Sequence, residues 1–319
     1  MTDHHVLVTG ASGFVGGPLS LALRDGGFSV TAMSRRGTDF ADVANVTLQD
    51  FSNADALTDA LRGVDVVVHA AARVHVMDET AADPLASFRA VNRDLTFEIA
   101  RAAQRAGVKR FVFLSSIKVF GETSPTDKPF TSATPPRPVD PYGVSKLEAE
   151  QALFDFAQSS GLEVVVIRPP LIYGPGVRAN FERMVRLVKR GVPLPFGGIR
   201  NRRSLVALDN LIDLIKLCAT SPHAPGHVFC VSDGSPMSTP ELFHAVGQAM
   251  NRSVAMIAIP EAILAALFKL IGKSAYADRL ISSLHVDISH TRDKLGWVPI
   301  AKPEDAMSAT VNDIINKEA

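Results

Sequence analysis

Short, largely apolar runs recur along the first half of the chain, at residues 5–9, 28–33, 64–68, 108–114 and 164–167. Each has the length of one strand, and continuous apolarity such as that of 64–68 predicts strands covered on both faces, as in a parallel sheet. A shorter run at 46–48 adds a minor strand. Between them the spacing is helical: Leu19 to Leu23, residues 54–61, residues 84–106, and a stretch opening at Pro141. Strand and helix therefore alternate, which predicts an α/β fold with a doubly wound parallel sheet. Two stretches break the pattern. Residues 121–140 carry Pro125, Pro129, Pro135, Pro136 and Pro138 without either period, and so predict a lid or substrate loop. After 164–167, the prolines and glycines between Arg168 and Gly176 end the alternation, which places a boundary near residue 171. Residues 1–171 then form the first domain and 172–319 a smaller C-terminal lobe, with part of about 205–235 returning to the first domain.

The first strand runs into Gly10-Ala11-Ser12-Gly13-Phe14-Val15-Gly16, and a helix follows. Strand, glycine turn and helix is the Rossmann context of a dinucleotide site. Gly10 allows the tight turn, Gly13 the approach of a pyrophosphate to the helix N-terminus, and Gly16 close packing of helix on strand. Pro18 is unusual there because it removes a backbone donor. At the end of the second strand such folds place a carboxylate on the adenosine ribose, but here stand Ser34, Arg35 and Arg36. A small hydroxyl and two guanidiniums suit a 2′-phosphate, so NADP(H) is expected, with NAD(H) the alternative. Asp50, followed by Phe51, suits two roles, accepting from the adenine amino group or capping the helix that follows. Ala70, Ala71 and Ala72 end the next strand with small side chains that let a cofactor pass over it.

Chemistry concentrates where Ser115 and Ser116 reach the carboxyl edge of the sheet and where Tyr142 and Lys146 share one helical face. A lysine beside a tyrosine favours the phenolate and is expected to lower its pKa from about 10 towards neutrality. Composition narrows the remaining classes. The chain has 319 residues, 46% of them hydrophobic, with 33 basic and 33 acidic side chains. That balance gives no footing for nucleic acid or an anionic membrane as the main partner. Two cysteines, Cys218 and Cys230, lack metal-ligand spacing, so neither a metal site nor a disulfide framework is expected. A cytoplasmic setting follows, since the start of the chain runs into its first strand without a basic and apolar leader. The apolar stretch 262–271 includes Lys269 and is too short to span a bilayer. It reads as a packed helix, with a peripheral membrane contact the other use of such a face.

Together the Gly10/Gly13/Gly16 loop, Ser116, Tyr142 with Lys146, Arg168-Pro169 and Tyr173-Gly174-Pro175 resemble the extended short-chain dehydrogenase/reductases of the NAD-dependent epimerase/dehydratase family, over nearly the full chain. The resemblance implies a nucleotide-sugar enzyme, with a UDP-linked sugar favoured. Tyr142 would be its acid/base, Lys146 would bind the nicotinamide ribose, and Ser116 the reacting sugar oxygen, with Ser115 the lesser candidate. It further implies cofactor contacts from Asn92 and Pro169, and a homodimer through the helices carrying Asn92 and Tyr142. Similarity to the 4-epimerases of the family implies substrate contacts at Asn180, Phe181, Leu194 and Phe196. It also implies a diphosphate contact at Arg202, with Arg279 a second candidate. The 4,6-dehydratases carry an Asp-Glu pair where this chain has Ile117 and Lys118, so elimination of water lacks its carboxylates. The run 115–119 with Arg202-Arg203-Ser204 is similar to the UDP-N-acetylquinovosamine dehydrogenases. This implies reduction of a UDP-4-keto-6-deoxy-N-acetylhexosamine for surface polysaccharide. A bound-NAD 4-epimerase is the alternative, and a non-catalytic dinucleotide sensor a further one, which the retained Tyr142 and Lys146 disfavour.

Overall fold

A computed structural model describes residues 4–51, 53–74, 83–270, 272 and 279–318. Its strands are β1 His5–Thr9, β2 Ser29–Ser34, β3 Ala44–Thr47, β4 Val66–His69, β5 Arg110–Leu114, β6 Glu163–Arg168, β7 Leu171–Tyr173, β8 Leu205–Ala207 and β9 Val228–Cys230. Seven of them form one sheet in the order β3-β2-β1-β4-β5-β6-β9, and every neighbouring pair is parallel. β7 and β8 make a separate parallel pair.

The expected double burial of the strands is observed. Along β1, β4, β5 and β6, Val6, Val8, Val66, Val68, Val112, Leu114, Val165 and Ile167 enter one core. The alternate residues Leu7, Val67, Phe111, Phe113, Val164 and Val166 enter another, as the period of two requires. The first core is closed by α1 Gly16–Asp25 and α7 Leu208–Thr220. Across the sheet, α2 Ala54–Ala60, α4 Leu95–Arg105 and α5 Pro141–Ser160 close the second. Because β1 has β2 on one side and β4 on the other, the strand order reverses at β1/β4. A crevice opens there at the strands' carboxyl ends.

The predicted helix 84–106 is not uniform. It begins as α3 Pro84–Arg89, passes through one π-helical turn, Ala90–Asp94, and continues as α4. After β8 the chain returns to the large sheet, where β9 pairs with β6. A third core joins β7 and β8 to α6 Asn180–Arg190, α8 Thr239–Ala249 and the C-terminal helix Pro303–Glu318. The proline-rich stretch 121–140 is stitched to residues 283–287. Ser124 N donates to Ser283 O at 2.8 Å, Phe130 N to His285 O at 2.9 Å, and Asp287 N to Phe130 O at 2.8 Å. Among the described residues no helix is long and apolar enough to cross a membrane.

Candidate active site

The glycine turn has no room for side chains. Gly10 sits at φ 69°, where a Cβ would lie 2.8 Å from the Ala71 backbone, and a Cβ on Gly16 would lie 2.3 Å from Gly10 O. Gly13 N closes the turn on Gly10 O at 2.9 Å. Ser12 and Gly13 are exposed, Phe14 and Val15 half-buried. α1 begins without a side-chain cap; the glycine turn itself takes up its first donors, with Gly17 N donating to Gly13 O at 3.1 Å and Leu19 N to Val15 O at 3.0 Å. Pro18 is the third residue of α1, a position whose N–H has no intrahelical acceptor, and so removes no helical bond. Ser34 ends β2 buried, and among the described residues its Oγ has no partner. Arg35 and Arg36 beside it are exposed, while Ala70, Ala71 and Ala72 are half-buried over the end of β4. The turn, Ser34 and the alanines thus meet along β1, β2 and β4. A turn this tight, packed on its own backbone at Gly10 and Gly16, and the unpartnered Ser34 hydroxyl fit a dinucleotide. Asp50 is exposed and Phe51 packs against the second core. The cap of α2 is Asn53, whose side chain accepts from Ala56 N at 3.0 Å, so the capping role considered for Asp50 belongs to Asn53.

The two serines after β5 have separate fates. Ser115 Oγ donates to Glu150, which also accepts from Arg168 Nε at 3.0 Å, and the guanidinium lies 4.6 Å over the Phe120 ring. Ser116 caps the 3-10 turn Ile117–Phe120, accepting from Lys118 N at 3.2 Å, and its hydroxyl stands beside the Tyr142 phenol. Pro169 O accepts from Ile117 N at 3.0 Å and fixes the same turn. Asp140 caps α5 by accepting from Gly143 N at 2.6 Å, which sets Tyr142 in the first turn. The Tyr142 ring meets Phe88 edge-on, with centroids 6.1 Å apart.

Asn92, in the π-helical turn, acts as a brace. Its Oδ1 accepts from Arg73 N at 2.8 Å, and its Nδ2 donates to Arg73 O and to Ser145 Oγ, each at 3.0 Å. The amide thus ties the chain after β4 to α5 rather than presenting a free group to a cofactor.

Electrostatics correct the expectation for the tyrosine. Burial pushes the Tyr142 pKa up to about 12, the Ser116 hydroxyl opposes this, and the Asp140 charge adds to it. Lys146 is buried, donates to Leu114 O at 2.8 Å and lies 4.5 Å over the Phe113 ring. Burial pulls its pKa down to about 7, against the opposing charge of Glu150. Desolvation therefore outweighs the Ser116 hydrogen bond, and Lys146 does not lower the phenol as its spacing predicts.

The substrate candidates divide. Asn180 is the exposed first residue of α6. Phe181, Leu194 and Phe196 are buried in the third core: Phe181 stacks on Tyr173 at 5.7 Å, and Phe196 on Phe243 at 5.3 Å. Leu194 is held by Ile257 N donating to its carbonyl at 2.8 Å. Their side chains shape the lobe. Arg202 is exposed and acts on Glu241 and His285. Its neighbour Arg203 is the withdrawn one, with Nη1 donating to Ser282 O at 2.9 Å and both Glu122 and Arg279 acting on it. Adjacent residues of an extended segment point to opposite sides. The sequence resemblance marks Arg202 and passes over Arg203, because no local pattern tells which of two adjacent arginines is withdrawn.

A family model described as the NAD dependent epimerase/dehydratase family matches residues 6–231. A UDP-glucose 4-epimerase of Vibrio cholerae is 44% identical over 297 residues, covering 92% of this chain and 90% of the relative. Among solved structures, MoeE5 in complex with UDP-glucuronic acid and NAD superposes with a TM-score of 0.78 at 24% identity, covering 98% of this chain and 99% of its own. A UDP-glucuronic acid 4-epimerase from Bacillus cereus in complex with NAD gives 0.79 at 20% identity, covering 99% and 100%. At those identities the two structures speak for the fold.

Proposed function

The chain belongs to the NAD-dependent epimerase/dehydratase family, and from that premise we propose that it is a UDP-sugar 4-epimerase that works with a retained NAD. The observation that carries the epimerase reading is the 44% identity to a UDP-glucose 4-epimerase along 92% of this chain. A bound nicotinamide dinucleotide would supply the site that takes and returns a hydride. The tight turn that Gly10, Gly13 and Gly16 permit would carry its pyrophosphate, and the unpartnered Ser34 Oγ would bond the adenosine ribose.

Ser116 holds the sugar O4 and Tyr142 moves its proton. A phenol near 12 is protonated at rest, which suits donation to an alkoxide forming at C4. In the reverse step the Tyr142 phenolate accepts the O4 proton as hydride leaves C4, and the phenol reaches that ionised form more readily once positive charge is bound beside it. Lys146, anchored on Leu114 O, would use its remaining donors to hold the nicotinamide ribose. Arg203 and Arg279 form the cationic pair proposed to grip the diphosphate. Dehydration is disfavoured because Lys118, where dehydratases carry a carboxylate, is ion-paired with Asp140 and Glu122.

One feature favours a second reading. Ser34-Arg35-Arg36 lacks the ribose-binding acid, which suits NADPH and a reductase of a UDP-4-keto-6-deoxy-N-acetylhexosamine. The nucleotide released on denaturing the purified protein separates the two. Near-stoichiometric NAD supports the epimerase. Protein free of nucleotide that consumes NADPH with a 4-keto sugar supports the reductase instead.

A further inference from the structure

The turn after β5 carries charges that the chemistry above leaves unused. Lys118 Nζ donates to Asp140 Oδ2 at 2.6 Å and to Glu122 Oε1 at 2.5 Å. The side chains of Lys118 and Asp140 are only 20% and 17% exposed, so this pair is more than a solvated surface contact. Through its other oxygen Asp140 caps Gly143 N at 2.6 Å. One carboxylate therefore joins Lys118 to the first turn of the helix that bears Tyr142. The backbone repeats the clamp, since a Cβ on Gly143 would lie 2.7 Å from Lys118 O. On its far side Glu122 acts on Arg203.

We propose that Lys118 is a positioning residue for Tyr142: its ammonium locks the first turn of α5 onto the Ser116 turn and cancels the Asp140 charge beside the phenol. The inference rests on the reading of Tyr142 as the acid/base. Among the described residues, Arg73 lies 5.3 Å over the Phe88 ring that meets the phenol, and the other groups come from three elements. Asp140 and Lys146 come from α5 and its cap, and Ser116, Lys118 and Glu122 from the turn after β5. α3 brings Phe88, and nearby Arg89 and Glu148 neutralise each other at 2.5 Å, with Arg93 3.5 Å from the same carboxylate. Of these charges Asp140 is the one that opposes ionisation of Tyr142, and Lys118 is its counter-ion. Without the lysine the negative potential at the phenol grows and ionisation moves to higher pH. Removing the carboxylate does the opposite.

The test is the pH dependence of kcat for the full chain with its dinucleotide bound, in wild type, Lys118→Met, Asp140→Asn and the double variant. Asparagine caps a helix about as well as aspartate, so Asp140→Asn removes charge and keeps the cap. The midpoint should move up by about one pH unit in Lys118→Met and down in Asp140→Asn. In the double variant it should return to within about 0.3 pH unit of wild type. Lys118→Arg should leave it in place. Lower kcat with unmoved midpoints, or shifts of the same sign in both single variants, overturns the proposal; should Lys118→Met fail to fold, Asp140→Asn and Lys118→Arg decide it. Tyr142→Phe in the same assay separates the two levels. Near-normal turnover there removes the acid/base reading itself, whereas loss of turnover there with unmoved midpoints in the other variants removes only the role of Lys118.

Discussion

Around single side chains, desolvation sets the chemistry more than neighbouring charge does. Tyr142 stands near 12 and Lys146 near 7 because desolvation is the largest effect on each. Replacing the phenol removes the proton donor without disturbing the glycine turn. Tyr142→Phe should keep dinucleotide binding and lower kcat by at least about a hundredfold. The two adjacent arginines should part ways: Arg203→Ala should raise KM for the UDP-sugar about tenfold or more, the scale of one charged hydrogen bond, and Arg202→Ala should change it little. Steady-state kinetics with UDP-sugar varied checks both, and a larger effect from Arg202 would reverse the assignment. At this scale the sequence was partly readable. Tyr142, Lys146 and Ser116 declare themselves through spacing and through the end of an apolar run. Which serine is free depends on Glu150, 35 residues further along, claiming Ser115. Likewise the inward turn of Arg203 depends on partners at Ser282 and Glu122. No local pattern encodes such contacts.

Elements were more legible, because hydrophobic period is a local property. Continuous apolar runs marked β4 and β5, and both are buried throughout. The glycine turn was legible for the same reason: its demands are steric and fall on three backbone positions. Gly16→Ala would set a methyl 2.3 Å from Gly10 O, and since that neighbour is backbone the turn itself must shift. Loss of dinucleotide retention and a fall in stability of about 1–3 kcal/mol are expected, measured by nucleotide content and urea unfolding. Retained nucleotide at wild-type level would contradict the steric reading. The π-helical turn at Ala90–Asp94 was not legible. It exists so that Asn92 can reach Arg73 and Ser145, and those partners lie on other elements. That the side chains of Phe181, Leu194 and Phe196 lie in the lobe core was not legible for a related reason, since an aromatic near a binding site and one in a lobe core look alike in sequence.

For the whole molecule, buried polar groups join the layers. The Arg168–Glu150 pair links β6 to α5 at 2.5 Å, with both side chains no more than 5% exposed. Glu150→Gln leaves the guanidinium buried without a counter-charge and should cost about 3–5 kcal/mol, seen as a lower Tm. Beneath the crevice, His69 sits between Thr9 Oγ1 at 2.8 Å and Thr96 Oγ1 at 2.9 Å, and burial pulls its pKa down to about 3. An unfolded chain takes up that proton below about 6.5, whereas the folded one does so only near 3. This group's contribution to stability is therefore complete above about pH 6.5. It is lost as the pH falls towards 3, by up to about 1.4 kcal/mol per pH unit. Between pH 7 and 5 the urea midpoint should fall more steeply in wild type than in His69→Gln; parallel slopes would mean that His69 does not carry the effect.

The reaction itself is tested most directly by following UDP-glucose and UDP-galactose by proton NMR, with purified protein and no added dinucleotide. The predicted result is interconversion of the two at C4 to a fixed ratio from either side, abolished in Tyr142→Phe. No interconversion by protein that retains NAD, or turnover only with NADPH and a 4-keto sugar, would contradict the 4-epimerase assignment.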